Sequence, residues 1–183
     1  MIEAPPPARL IEAFANTVDV ELGTEDLDTP ARLTAWLAEQ DLLPPATRIT
    51  PADHDLALRL RGGIREALGL HADTPDPSLM AAAAQALTEL PLLVTVTPDA
   101  RTALAPSPEL PPARHALATL AIAWTEIGTT GDIARLKRCA EHACAWVFWD
   151  TSKNRSRRWC SMRVCGNRTK ARRYAAKRAT TDG

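Results

Sequence analysis

All four cysteines of this chain fall within 27 residues, as Cys139-x4-Cys144 and Cys160-x4-Cys165 with fifteen residues between the two pairs. Four thiolates close a tetrahedral site and leave no position for water or substrate, which is the coordination of structural zinc. Four thiolates can also hold an iron–sulfur cluster, and two structural thiol pairs or disulfides are the remaining reading. With no cysteine elsewhere, a secreted disulfide scaffold is disfavoured. A module of about fifty residues buries too little apolar surface to be secure alone, and a metal is a common remedy. The expectation is zinc on Cys139, Cys144, Cys160 and Cys165. His142, between the first pair, then reads as an exposed knuckle residue.

The overall charge of zero hides two halves of opposite sign. Residues 1 to 130 hold 8 Arg and no Lys against 18 acidic residues, whereas residues 131 to 183 hold 14 basic residues against 4 acidic ones. Such asymmetry points to a polyanion partner for the basic half and to some other task for the acidic half. The start, MIEAPPPARLIEAF, places acidic and proline residues where a signal peptide needs a charged start and an apolar run, and no stretch is long enough to span a membrane. A cytoplasmic protein without membrane contact is expected.

Along residues 1 to 130 the apolar positions recur at helical spacing. Thr29 and Pro30 read as an N-cap and first helical residue, with Leu33, Trp36 and Leu37 on one face. Thr50 and Pro51 repeat the device before Leu56, Leu60, Ile64 and Leu68, with Gly62 and Gly63 as weak points. A third helix from about Pro77 groups Met80, Ala83, Leu87 and Leu90. The run LLVTVT at 92–97, the TPDA turn and a second extended run at 101–105 predict one β-hairpin. A proline-rich loop then leads to a helix with Leu117, Leu120, Trp124 and Ile127 that ends near Gly128. Trp36 and Trp124 are expected in the core. TTGD at 129–132 is the predicted boundary between a domain at 1–130 and a module at 131–183.

In the basic module, residues 135–138 are expected to lead as a strand into the first cysteine turn, and Trp146 to Trp149 to leave it as another. Cys165, Gly166 and Asn167 read as a turn with Asn167 as N-cap of a helix over 168–180. Hairpin, knuckle and closing helix together resemble a treble-clef finger. That helix carries Arg168, Lys170, Arg172, Arg173, Lys177 and Arg178, while Arg157, Arg158 and Arg163 lie close to the metal, so these groups can approach phosphates together. Trp146, Trp149 and Trp159 are expected as the module's core, with stacking on bases as the alternative.

The string RCAEHACAWVFWDTSKNRSRRWCSMRVCGNRTKARRYAAKR is similar to the CGNR zinc finger, whose naming residues stand here as Cys165, Gly166, Asn167 and Arg168. Upstream, FANTVD at 14–19 and the TPARLTAWL and LRGGIREAL segments resemble the ABATE domain, which precedes this finger in a family of stress-induced transcription regulators. The resemblance covers nearly the whole chain and implies zinc, DNA binding and a sensor body. Within the matching segments, Asn16, Thr17, Asp19, Arg32 and Arg61 are candidates to line a small-molecule pocket. The alternative is that Asn16 and Asp19 end a helix while the arginines pair with acids.

The expected fold class is α+β: a mainly helical N-terminal domain with a small β-hairpin, then a small treble-clef-like finger of a β-hairpin and a C-terminal helix. The expected function is a zinc-containing, duplex-DNA-binding transcription regulator that responds to a small ligand. Its DNA contacts are Arg157, Arg158, Arg163, Arg168, Lys170, Arg172, Arg173 and Lys177. A homodimer would extend the reach of a single finger. No nucleophile with its base, metalloprotease spacing or glycine-rich phosphate loop is present, so an enzyme is not expected. The alternatives are an RNA or single-strand binder, and a small-molecule enzyme docked by its basic tail.

Overall fold

The computed structural model describes residues 2–70, 74–99 and 102–181. Five helices build the N-terminal body: α1 (Pro6–Ala15), α2 (Pro30–Glu39), α3 (Pro51–Gly69), α4 (Pro77–Thr88) and α5 (Pro112–Thr129). Each opens on a proline, whose fixed φ suits the first turn and whose missing N–H is not needed there. Thr29, Thr50 and Asp76 cap three of them, accepting from the backbone N–H of Arg32, Asp53 and Ser78. The anticipated hairpin joins β3 (Leu92–Val96) to β4 (Thr102–Pro106), antiparallel, with Val94 opposite Leu104. The expected extended run began at Arg101, which lies outside the described residues. A two-residue pair, β1 (Val18–Asp19) with β2 (Thr24–Glu25), follows α1 and had no sequence signal.

The core gathers Ile11 and Phe14 of α1, Leu33 and Leu37 of α2, Leu56 and Leu60 of α3, and Leu117 and Leu120 of α5, all buried. The Phe14 and Trp36 rings meet at 5.4 Å, and Trp36 and Trp124 pack half-buried against this core. Gly62 and Gly63 do not interrupt α3. Gly63 instead sets the approach of α4, because a Cβ there would lie 2.1 Å from the Cβ of Ala83. The destabilising tendency of glycine in a helix is thus overridden by close packing of α4.

Past α5 the chain turns at Gly131, with φ of +78°, through a 3-10 turn at Asp132–Ala134. Strands β5 (Leu136–Arg138) and β6 (Val147–Trp149) then pair antiparallel, and α6 (Asn167–Thr181) closes the chain. This α+β arrangement, with a helical body and a C-terminal finger of hairpin, cysteine cluster and helix, is the one expected. One local expectation is corrected. Asn167 is not an N-cap: its backbone is helical and its side-chain amide donates to the Arg163 carbonyl at 3.0 Å. A π-helical turn at Met162–Gly166 feeds directly into α6, and Ser161 caps that turn by accepting from the Val164 N–H. Leu136, Val147 and Trp149 belong to the same core cluster as the body helices. No helix among the described residues is long and apolar enough to cross a membrane.

Candidate metal centre and basic surface

Cys139 follows β5 and Cys144 lies on a knuckle that the chain closes with two bonds to the Glu141 carbonyl, from the N–H groups of Cys144 and Ala145 at 2.8 and 2.9 Å. Ala145 takes a left-handed φ of +49° to turn the chain back into β6. Cys160 precedes the π-helical turn and Cys165 lies within it. The four Sγ atoms lie within 4.8 Å of one another, with Cys144 to Cys160 at 3.6 Å and Cys160 to Cys165 at 3.7 Å. A tetrahedron with metal–sulfur bonds of about 2.3 Å has edges of about 3.8 Å, so the donor set has the size and softness of a zinc-type site. Phe148 and Trp159 pack against the cysteine cluster. Burial and crowding push the Cys160 thiol up and Cys165 up to about 12. A bound cation reverses that preference by holding the thiolates. His142 is exposed on the knuckle.

Two acids order the basic chain from inside. Between residues 133 and 181 only Glu141 and Asp150 are acidic, and both are fully buried. Asp150 accepts from the Lys137 ammonium at 2.8 Å and from the N–H groups of Ser152 and Arg157, each at 2.9 Å. Burial pushes its carboxyl up, but these donors outweigh that and hold it well below the usual carboxylate range. Glu141 accepts from Arg172 at 2.5 Å and from the Thr169 hydroxyl at 3.0 Å, and is likewise held low against its burial. It therefore ties α6 to the knuckle. Sequence reasoning passed over both residues, although lone acids in so basic a segment were the available signal.

The basic residues named from the sequence take different positions. Arg158, Arg163 and Lys170 are exposed, as are Lys153 and Arg155, which the sequence reading left out. Arg157 is half-buried, lies 5.0 Å over the Phe148 ring and donates to the Cys160 carbonyl. Arg168 pairs with Glu21 of the β1–β2 turn at 2.8 Å, and Arg172 is held by Glu141. The side chains of Arg173 and Lys177 lie outside the described residues. Of the three tryptophans expected in the module's core, Trp149 is buried and Trp159 half-buried, but Trp146 is exposed and so corrects that expectation.

The residues proposed for a ligand pocket each have partners within the protein. The Asn16 side-chain amide spans the backbone of Val147, donating to its carbonyl at 2.8 Å and accepting from its N–H at 2.8 Å. Cys139 N–H bonds Trp146 O and Asp150 N–H bonds Arg135 O, so β6 turns alternate amides to β5 and leaves that of Val147 facing the body. Asn16 pairs with it like an extra strand residue. Asp19 accepts from the N–H groups of Glu21 and Leu22 in the β1–β2 turn. Arg32 is exposed and pairs with Asp28 one turn earlier at 3.3 Å. Arg61 is buried, donating to the Thr17 hydroxyl at 2.7 Å and forking onto Glu25.

Farther along α3, Arg65, Glu66 and Gly69 meet the finger. Arg65, buried, donates to the Ala15 carbonyl and, at 3.0 Å, to the Ala145 carbonyl of the knuckle. Burial, with Arg138 and Arg61 nearby, lowers its guanidinium to about 10. Arg138, next to the first metal-site cysteine, crosses Gly69 to pair with Glu66. A Cβ on Gly69 would stand 2.3 Å from the guanidinium, so any side chain there would make Arg138 shift. The Trp149 indole donates to the Ile2 carbonyl at 3.1 Å.

Two family models match the chain in order. Residues 8–131 match ABATE, described as "Putative stress-induced transcription regulator", and residues 135–178 match the CGNR zinc finger. No curated protein matches it.

Proposed function

The chain belongs to the ABATE family and ends in a CGNR zinc finger, and from that premise we propose that it is a zinc-dependent, duplex-DNA-binding transcription regulator whose body responds to a small molecule. Zinc on Cys139, Cys144, Cys160 and Cys165 is structural in this reading, since four thiolates leave no open position. The observation that carries the proposal is the gathering of these sulfurs within 4.8 Å of one another where the knuckle meets the arginine-bearing helix. That geometry supports a surface on which Arg158, Arg163 and Lys170, flanked by Arg157, Arg168 and Arg172, meet phosphates, with Arg173 and Lys177 on the same helix. No catalytic role is assigned to the body.

Binding to duplex DNA should weaken with salt at a log–log slope of about −4 to −5, corresponding to four to six neutralised phosphates. Replacing Arg163 and Lys170 together by Ala should reduce that slope by about 2 without loss of metal. A slope near zero refutes the DNA reading. The exposed Trp146 supports a second reading, an RNA or single-strand binder that stacks bases on it. Tighter binding to single strands, with tryptophan quenching, would select that one.

A further inference from the structure

Helix α3 presents two functional faces at helical spacing. Arg61, Arg65 and Gly69, one turn apart, meet the β1–β2 strands and the finger. Leu60, Gly63, Ile64 and Ala67, on another face, floor a cleft of ≈ 150 Å³ against α4. Met80 and Leu87 of α4 and Trp124 of α5 form its other walls. The cleft follows from the sequence of α4: the Gly63–Ala83 contact draws the helices together, while the short side chains of Ala83 and Ala84 leave space between the larger residues.

Its chemistry limits the occupant. The walls offer almost no polar atom, so a charged or strongly hydrogen-bonding group seated between them would leave water with nothing to replace its partners. Enclosed apolar cavities of this size take molecules such as benzene, and this cleft, open to solvent beside Ala84 and Leu87, offers the same kind of lining on its inner side. Met80 adds a flexible, polarisable thioether that favours aromatic edges, and the Trp124 ring supplies a second aromatic contact. We propose that this cleft binds an uncharged aromatic or branched aliphatic molecule of about six to ten non-hydrogen atoms. The site sits on the helix that carries the finger, so its occupant acts on the seam through one rigid element. The binding claim stands without the DNA reading, and only its use as a signal rests on that reading.

The test is NMR of the zinc-loaded full chain titrated with benzene, indole and benzoate. Met80 is one of three methionines, so its methyl signal is readily assigned. Benzene and indole should shift the Met80 methyl and Trp124 indole signals saturably, with dissociation constants on the order of 1 mM, while benzoate leaves them in place. Ala84→Phe fills the cleft from an exposed position and should weaken binding at least tenfold with metal content unchanged; Ala84→Leu provides the milder variant should the larger one disturb the fold. Signals that stay fixed up to the solubility of both neutral probes overturn the proposal. So does benzoate binding as tightly as benzene, or full binding in a folded cleft-filling variant.

Discussion

Replacing Asn16 by Ala tests whether the body and finger fold as one unit. Val147 is wholly buried, and its N–H and carbonyl face Asn16 rather than β5. The substitution leaves both groups without partners, at a cost of about 1–3 kcal/mol each. The half-buried position of Asn16 admits some water, so the combined loss should be about 2–5 kcal/mol. With a urea dependence of about 2 kcal/mol per M, the midpoint should fall by about 1–2.5 M. The assay is urea unfolding of the zinc-loaded protein, followed by far-ultraviolet circular dichroism and by tryptophan fluorescence. Both probes should shift together, because Trp149 shares the body's core. Asp19→Ala, which removes only an exposed turn contact, should cost less than about 1 kcal/mol. A midpoint shift below about 0.3 M for Asn16→Ala would refute the seam and return Asn16 to the candidates for ligand binding.

Arg172→Ala strands the buried Glu141 carboxylate; because Arg172 is itself half exposed, the loss should be about 1–3 kcal/mol, whereas Lys170→Ala should stay within about 0.5 kcal/mol in the same unfolding assay. Burial raises the Asp53 carboxyl, but the Thr50 hydroxyl and the Arg114 guanidinium outweigh it and bring the group below its ordinary value. Its stabilisation is therefore present above the unfolded value near about 3.9 and is lost as pH falls through the folded one. The stability difference between the wild type and Asp53→Asn should be flat from about pH 7 to 5 and shrink below about pH 4, and a difference that grows on acidification would contradict this. Gly63→Ala should cost about 1–3 kcal/mol in thermal unfolding by forcing α4 away at Ala83.

What was legible in the sequence was what local chemistry determines. Proline after a capping Thr located the starts of α2 and α3, β-branched alternation located the hairpin, and cysteine spacing located the metal cluster. What was hidden depends on long-range placement. Asn16 and Val147 are 131 residues apart, and nothing near Asn16 distinguishes a helix-ending amide from one that completes a distant strand. Arg65 and Glu66 resemble surface residues of an amphipathic helix until the knuckle and Arg138 arrive over them. Asn167 was misread because a π-helical turn has no simple residue signature, so the helical path begins at Ser161 rather than at the asparagine. Glu141 and Asp150 stood out only by sign.

The opposite charges of the two halves acquire a second meaning from this geometry. An acidic body beside a basic finger suggests repulsion of any polyanion, yet the structure sets Glu66 against Arg138 and Glu21 against Arg168 across the seam. The two pairs are not equivalent. Arg138 and Glu66 are largely buried, so separating them would expose both charges and the apolar seam together. Arg168 and Glu21 are about 35% and 43% exposed, a setting in which an ion pair contributes little and salt screens it. In the proposed reading, DNA phosphates would compete only with Glu21 for Arg168 and would leave the deeper pair in place. On that reading the exposed pair would adjust affinity at small cost, while Asn16 and the buried pair hold the finger against the body.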